Sequence, residues 1–465
     1  MLTKENKKLG KGLFGGEVDI VGGRLPSSII VYLIPLVFTN LFQSLYNAVD
    51  FIIVGNFSST QAIAAVGATA ALTNLFLSLL NGLAAGANVL FARYIGAGEE
   101  KTVKLLTSTS FITSILIGIL FAACGIAFTY PLLRLTNCPA NIIDDSAVYM
   151  LIFFLGVPAT SFFSFMSSAL RCRGDSKRPL YYLFASGVLN VVLNIFFIII
   201  FSMDVIGVAV ATVISQYVAA ILLLIRLMRM DGVGKLVFSE MKFSFEMVKK
   251  IFKYGIPCAV ANLAYAISNT QITSVVNSYG DVAVAGKSAA NNLQSVFIGV
   301  FSASMQSMTL AFVGGNLGAG DRARTLRVIK NCYVISVSVL TSMGIIGLVF
   351  HKPLLTLFVP GNEAALAFAS VANTYMMSAG AIVALHGLGK SVLQAFGMNR
   401  YQMFSSIMSL CVFRALWISF VYPFFNTPEA IFIAYPLSWT LVVIIDGAKI
   451  IPTLIKYKNG KEYKI

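Results

Sequence analysis

One carboxylate lies within an apolar segment that is long enough to cross a bilayer. The segment runs from Ser27 to Gly55, and three amides precede its acid at helical spacing: Asn40, Gln43, Asn47 and then Asp50. An α-helix places these four side chains on one stripe of roughly 80°. A charge at the membrane centre costs roughly 3 kcal/mol or more. A neutral Asn would pack as well against a neighbouring helix. The pattern therefore predicts a titratable group that faces a cavity and accepts a proton or a metal cation.

Two further amides are candidate partners for this acid. Asn190 and Asn194 lie one helical turn apart within an otherwise apolar stretch. Amides in lipid require hydrogen-bond partners, and Asp50 is the natural one. Thr212 and Ser215 follow in the next apolar run. A hydroxyl on a helix more often bonds the carbonyl four residues before it, so the sequence favours that local role for these two.

Other side chains are candidates for a substrate cavity. Aromatic and methionine side chains form adaptable pockets, although most residues of these types at helical spacing only pack. A lone histidine in an apolar run is also more often a core residue. The cavity candidates, besides the polar stripe, are Tyr46, Met166, Tyr265, Met305 and His386.

Two charged residues in the last third of the chain have simpler interpretations. Asp446 precedes Lys449 by three residues, which predicts a local ion pair near the inner membrane surface. The second half is therefore expected to have no acid at the membrane centre. Arg414 lies inside an apolar run and should face protein or water, without an assignable role.

The elements that position these residues repeat along the chain. Pro35 and Pro257, which begin similar apolar runs, are 222 residues apart, and the turns that begin at Gly96 and Gly318 are separated by the same interval. Each turn has the sequence Gly-Ala-Gly followed by an acid, which is typical of a left-handed helix end and the start of the next helix. A proline inside a spanning helix removes a backbone donor, so Pro35 and Pro257 are predicted hinges.

The composition places the chain in the membrane class. Of its 465 residues 57% are hydrophobic and 11% charged, whereas soluble proteins contain roughly 25% charged residues. Apolar runs of twenty or more residues without alternation predict helices rather than a β-barrel. The six cysteines show no metal-ligand or disulfide spacing, so no metal site is predicted from them.

Twelve apolar runs predict twelve transmembrane helices. Their approximate limits are 27–54, 62–92, 103–130, 143–170, 180–202, 206–229, 248–277, 283–313, 325–351, 365–394, 401–425 and 429–455. Six runs fall within one repeat, and an even number gives both halves the same orientation. We therefore predict an all-α integral membrane protein with two six-helix lobes related by a pseudo-two-fold axis along the membrane normal.

The predicted domains and topology follow from these runs. Residues 1–24 are expected to form a cytoplasmic tail, 25–229 the N-lobe, 230–247 a cytoplasmic linker, and 248–465 the C-lobe. Most of the 34 Lys and Arg residues fall in alternate loops and the two ends, which predicts that both termini are cytoplasmic. The net charge of +15 thus reflects topology and contact with anionic lipids, and no nucleic-acid partner is needed.

These patterns together resemble the multidrug and toxic compound extrusion (MATE) family, in particular its DNA-damage-inducible F-like branch. The resemblance rests on Pro35, on the segment from Gln43 to Gly55, on the two Gly-Ala-Gly-acid turns, on Arg173 to Pro179 and on Gly207 to Thr212. It implies a cation site formed by Asp50, Asn190, Asn194 and Thr212. The family often has Asp where this chain has Asn194, which leaves one carboxylate.

The resemblance implies a secondary active antiporter rather than an enzyme. It would export amphipathic or cationic organic compounds from the cell in exchange for protons or sodium, as a monomer in the cell membrane without a resident cofactor. One poised carboxylate suffices for a proton, which favours protons, whereas the oxygens of the four site residues also suit sodium.

Two other functions are weighed against this one. A flippase for lipid-linked oligosaccharides would use a similar two-lobed fold, but a more basic central cavity is expected for it. A membrane-embedded enzyme needs a cluster of metal ligands or a nucleophile at bilayer depth. The two histidines, His351 and His386, and the absence of paired acids within the predicted spans do not indicate such a cluster.

Overall fold

The computed structural model describes most of the chain. It covers residues 17–57, 59–136, 138–201, 203–232 and 234–463, without the side chains of 46–52, 54–58, 60, 62 and 63. Throughout these ranges the regular secondary structure is helical. The predicted all-α class is therefore confirmed.

Twelve long helical segments follow one another. They are α1 Leu25–Phe57, α2 Thr60–Gly96, α3 Glu100–Leu135, α4 Ile143–Cys172, α5 Lys177–Ile200, α6 Asp204–Arg229, α7 Phe245–Asn277, α8 Asp281–Gly318, α9 Arg322–Val349, α10 Glu363–Ser378 with Gly380–Ala395, α11 Asn399–Phe425 and α12 Pro428–Lys458. Within the described residues, ten are long and apolar enough to cross a membrane, and α10, bent by 52° between its two parts, makes an eleventh. The remaining segment, α7, is more polar. Twelve segments agree with the twelve predicted spans.

The repeated turns have the predicted backbone geometry. Gly98 after α2 has a φ of 71°, and Gly320 after α8 has a φ of 75°. Both values lie in the left-handed region that favours glycine. The Asp321 carboxylate then accepts a hydrogen bond of 2.8 Å from the backbone N–H of Arg324 and so caps the start of α9.

The chain divides into two compact units with unexpected limits. Unit 1 contains Leu41–Ala259 and the chain up to Asp19, and unit 2 contains Ile20–Asn40 and Val260–Ile465. The predicted lobes, 25–229 and 248–465, differ from these units at two places. The first part of α1 belongs with the second half of the chain, and the first part of α7 belongs with the first half. A sequence repeat gives the order of helices but does not indicate where a long helix passes from one unit to the other.

In unit 1, small residues explain why the first part of α7 packs on α2. A Cβ atom added to Gly82 would overlap the backbone of Ala259, and one added to Gly86 would overlap Ile251 and Gly255. Only glycine allows the two backbones to approach so closely. In unit 2 the first part of α1 packs on α8, and the Asn40 amide donates a hydrogen bond of 2.8 Å to the Ser304 hydroxyl.

The basic motif after α4 is held by the N-terminal segment within unit 1. Gly174 has a φ of 93°, and its carbonyl accepts a hydrogen bond of 3.0 Å from the Val18 N–H. The Glu17 carboxylate lies 3.5 Å from the Arg173 guanidinium and 3.6 Å from that of Arg178. Glu17 and Val18, which belong to the predicted tail of residues 1–24, are therefore anchored on the loop between α4 and α5.

Candidate functional site

A buried polar ladder runs between α5 and α6. The Asn194 amide donates a hydrogen bond of 3.1 Å to the Asn190 carbonyl oxygen. The Asn190 amide in turn donates a longer one of 3.4 Å to the Thr212 hydroxyl. Both asparagines are fully buried and Thr212 is 9% exposed. The structure thus brings together three of the four residues proposed for the cation site.

The remaining members of the polar stripe fall outside the described side chains. Tyr46, Asn47 and Asp50 belong to α1, but their side chains are not among those that the structure describes. The proposed contact of Asp50 with the ladder therefore stays a prediction.

A cavity lies beside the ladder in unit 1. Its volume is about 390 Å³, and α1, α2, α4, α5 and α6 line it. Three phenylalanines, Phe42, Phe163 and Phe184, contribute much of its apolar wall. Its polar groups come from Gln43, Asn81, Thr160, Ser164, Ser186 and Gln216. A mostly apolar chamber with a few polar groups and aromatic faces is suited to a flat amphipathic or cationic organic molecule.

Helix α5 connects the cavity with the ladder. Ser186 lines the cavity, and Asn190 and Asn194 follow it at intervals of one helical turn. The Ser186 hydroxyl itself donates a hydrogen bond of 2.7 Å to the Ser215 carbonyl. The rise of the helix places Asn190 about 6 Å from Ser186 along the axis. The ladder and the cavity wall therefore lie on successive turns of one helix.

Thr212 and Ser215, the two candidate hydroxyl residues of α6, make different hydrogen bonds. The Ser215 hydroxyl donates a hydrogen bond of 2.8 Å to the Ala211 carbonyl, four residues before it, as the sequence favours. Thr212 instead accepts from Asn190 and completes the ladder. The two residues lie one turn apart on the same helix, so the difference between them comes from their contacts with α5.

Of the cavity candidates with described side chains, only Gln43 is a lining residue of this chamber. Asn40 belongs to unit 2 and bonds Ser304 there. Met166 is fully buried in a cluster with Phe162 and Leu170, and Met305 is 1% exposed in the core of unit 2. Helical spacing does not distinguish a lining residue from a core residue.

Arg414 lies at the centre of a polar and aromatic cluster in unit 2. Its guanidinium donates hydrogen bonds to the hydroxyls of Ser438, at 2.8 Å, and Ser268, at 3.2 Å. It lies 4.4 Å from the Tyr435 ring centroid and 6.0 Å from that of Tyr265, another of the cavity candidates. This fully buried cation therefore faces protein, as predicted. His386 is half-buried, and its Nδ1 atom has no hydrogen-bond partner among the described residues.

The predicted ion pair of Asp446 is wrong. Asp446 is 2% exposed, and the described groups that interact with its carboxylate include the Ser405 hydroxyl and Lys390 but not Lys449. Lys449 instead lies 5.5 Å from the Tyr401 ring centroid. Asp446 is also twelve residues from either end of the helix Ala434–Lys458. It therefore lies near the middle of that helix, and unit 2 does contain an acid within a membrane span.

Both predicted hinges lie close to the limits of the units. Pro35 is five residues before α1 passes from unit 2 to unit 1, and Pro257 is two residues before α7 passes from unit 1 to unit 2. The Thr39 hydroxyl donates a hydrogen bond of 2.7 Å to the Pro35 carbonyl. A missing backbone donor at each point allows the helix to bend there.

Comparison with known protein families gives the same repeat. The family model MatE matches twice, over residues 35–196 and 257–418. The two matches begin at Pro35 and Pro257, so they reproduce the repeat found in the sequence.

Relatives and solved structures agree with this match. The chain is 28% identical over 343 residues to the probable multidrug resistance protein YoeA of Bacillus subtilis, covering 72% of this chain and 74% of the relative. It is 27% identical over 333 residues to the probable multidrug resistance protein NorM of Thermotoga maritima, covering 70% of each. Its fold is similar to that of an outward-facing multidrug resistance MATE family transporter, with a TM-score of 0.88, 20% identity, and coverage of 96% of this chain and 99% of that one.

Proposed function

The chain belongs to the multidrug and toxic compound extrusion (MATE) family, and from this premise we propose that it is an antiporter that exports organic compounds. Relatives that are named probable multidrug resistance proteins support export of more than one compound. The chain is a transporter and not an enzyme.

The observation that carries the proposal is the shared helix α5. It contributes Ser186 to the cavity wall and Asn190 and Asn194 to the buried ladder. A transporter that exchanges a drug for a cation must make the two bindings depend on each other. Placing both sites on successive turns of one rigid helix provides a short physical connection for this dependence.

The cation would bind where Asp50 meets the ladder. A proton or sodium ion on the Asp50 carboxylate removes an unpaired charge from the membrane, and the oxygens of Asn190, Asn194 and Thr212 are hydrogen-bond partners or ligands for the same site. We favour the proton because a single carboxylate is enough to carry it.

The substrate class follows from the cavity lining. Phe42, Phe163 and Phe184 provide aromatic faces, and a cation above an aromatic ring gains roughly 0.5–2 kcal/mol. Gln43 and Gln216 provide hydrogen-bonding groups without a fixed charge. Amphipathic, often cationic compounds fit this lining. A lipid-linked oligosaccharide is not favoured, because the described lining residues include no Lys or Arg that would hold its phosphates.

Release of the substrate would require movement at the hinges. Neutralising Asp50 removes the cost of enclosing a charge, so α1 can bend near Pro35 and contract the cavity. We place both termini in the cytoplasm on the strength of the positive-inside bias of the loops. The cell membrane is the expected location, and a monomer is the expected state.

Transport by purified protein in proteoliposomes tests this function. Ethidium movement should be measured with an imposed proton gradient, an imposed sodium gradient, and each gradient collapsed in turn. We expect transport that is driven by the proton gradient and is lost when that gradient is collapsed. Absence of ethidium transport under either gradient, from protein that remains monodisperse, would contradict the proposal.

A further inference from the structure

Two buried cations of unit 2 have no part in the transport scheme above. Lys287 on α8 is 4% exposed, and Arg414 on α11 is fully buried. A buried charge is costly unless an opposite charge or a set of hydrogen bonds compensates it. Neither residue forms an ion pair with an acid among the described residues. Asp281, the acid that begins α8, lies about 9 Å from Lys287 along the helix axis.

Both cations are held by one turn of α7. The Lys287 ammonium donates a hydrogen bond to the Thr273 hydroxyl, and the Arg414 guanidinium donates one of 3.1 Å to the side-chain oxygen of Asn269. The Thr273 hydroxyl in turn donates a hydrogen bond of 2.8 Å to the backbone carbonyl of Asn269. The two acceptor residues are separated by about 6 Å along the helix. The charge of Arg414 accordingly acts on that of Lys287. Two positive charges therefore lie close together within unit 2.

Each of these cations has hydrogen-bond donors that the described residues do not use. An ammonium group has three N–H donors and a guanidinium has five. Lys287 makes one hydrogen bond in the described part of the chain. The Nε and Nη1 atoms of Arg414 bond to side chains, whereas its Nη2 atom has no partner there. Buried donors are normally satisfied, so free donors on two neighbouring cations indicate a place for an anionic acceptor.

The outer part of α7 gives an anion access to this place. Asn269, Thr270, Thr273 and Asn277 lie within roughly 100° of one another around the helix, and the last three are exposed. This face has no acid, since the one acid of α7 is Glu246 near its other end. A hydrated anion can therefore approach the two cations along polar side chains.

The surroundings of Arg414 favour a small anion. The Tyr435 ring centroid lies 4.4 Å from its guanidinium and the Trp439 centroid 5.9 Å away, so aromatic rings surround the group. Little room is left for a phosphate or an organic carboxylate. A divalent anion would also lose more hydration energy on burial than a monovalent one.

We propose that Lys287, Arg414 and Thr273 form a chloride-binding site within unit 2. The chloride ion accepts hydrogen bonds from the unused donors and compensates the two positive charges. The site is separate from the ladder of unit 1, and it does not depend on which cation drives export.

Equilibrium binding of ³⁶Cl⁻ to the purified full-length protein tests the site without reference to transport. The protein is first exchanged into a buffer in which gluconate replaces chloride. We expect saturable binding of one chloride ion per chain. Lys287→Met removes a charged donor, so it should weaken binding by about tenfold or more. Lys287→Arg keeps the charge and should retain saturable binding. Size-exclusion chromatography establishes that each variant is folded.

Lys352→Met is the matched control. It removes the same charge from unit 2, but Lys352 is exposed and lies on the helix His351–Thr356. Chloride binding should be unchanged in this variant. The site is refuted if monodisperse wild type binds no chloride saturably, which is the result expected if Lys287 is uncharged, or if Lys287→Met binds as tightly as wild type. If Lys287→Met is not folded, Lys287→Gln, whose amide can still bond Thr273, decides by the same criterion. Failure of this site would leave the proposed export function intact, since ethidium transport is measured separately.

Discussion

The close contact between α2 and α7 in unit 1 predicts that replacing glycine by alanine on α2 lowers the stability of the protein at Gly86 but not at Gly67. Gly86→Ala adds a Cβ that overlaps the carbonyl of Ile251 and the backbone of Gly255, and no side-chain rotation relieves an overlap with backbone. Overpacking of this kind costs roughly 1–3 kcal/mol. Alanine is favoured over glycine in a helix by about 1 kcal/mol, which offsets part of the cost. We expect a net loss of stability of up to roughly 2 kcal/mol.

Gly67→Ala is the control, because Gly67 lies on α2 and nothing lies within 4 Å of its added Cβ. It keeps the gain in helix propensity of about 1 kcal/mol and incurs no overlap. Thermal unfolding of both variants in detergent, followed by a thiol-reactive dye, should give an apparent Tm below wild type for Gly86→Ala and at or above it for Gly67→Ala. Equal Tm values for the two variants would refute the close approach of α2 and α7.

Three further predictions concern the site, the hinge and the topology. Asn190→Ala removes the acceptor for Asn194 and the donor to Thr212. Polar contacts of this kind are worth roughly 0.6–2 kcal/mol in membranes. The cation concentration that gives half-maximal export should therefore be about three- to thirtyfold higher. Pro35→Ala should slow export without changing equilibrium ethidium binding, whereas Pro452→Ala, which lies within unit 2 away from its limits, should leave both unchanged. Single cysteines at Thr136 and Lys242 in a cysteine-free protein should be labelled by an impermeant reagent from outside and inside respectively, and labelling of both from one face would contradict the predicted topology.

Much of the fold could be predicted because local rules govern it. Runs of apolar residues marked the twelve helices, and the need for a positive φ explained Gly98 and Gly320. The ladder was also predictable in part, since two amides one turn apart in lipid must find partners, and Asn190 and Asn194 partly satisfy each other.

The remaining features depend on packing that a sequence does not reveal. Asn40 shares a helical stripe with Gln43, yet α1 changes unit between them and only Gln43 lines the cavity. An acid and a base three residues apart on a helix often form an ion pair, which is why the sequence predicts a pair between Asp446 and Lys449. In the structure the Lys449 ammonium instead lies over the ring of Tyr401.

The most direct test of the account is export by the Asp50→Asn protein. The variant and wild type should be reconstituted at equal density. Ethidium is placed on the side of the vesicle membrane that corresponds to the cytoplasm, and a proton or sodium gradient is imposed from the other side. Thermal unfolding and size-exclusion chromatography establish that both proteins are folded. We predict that Asp50→Asn still binds ethidium but shows no gradient-driven export under either cation. Gradient-driven export by this variant at the wild-type rate would contradict cation coupling at the unit 1 site.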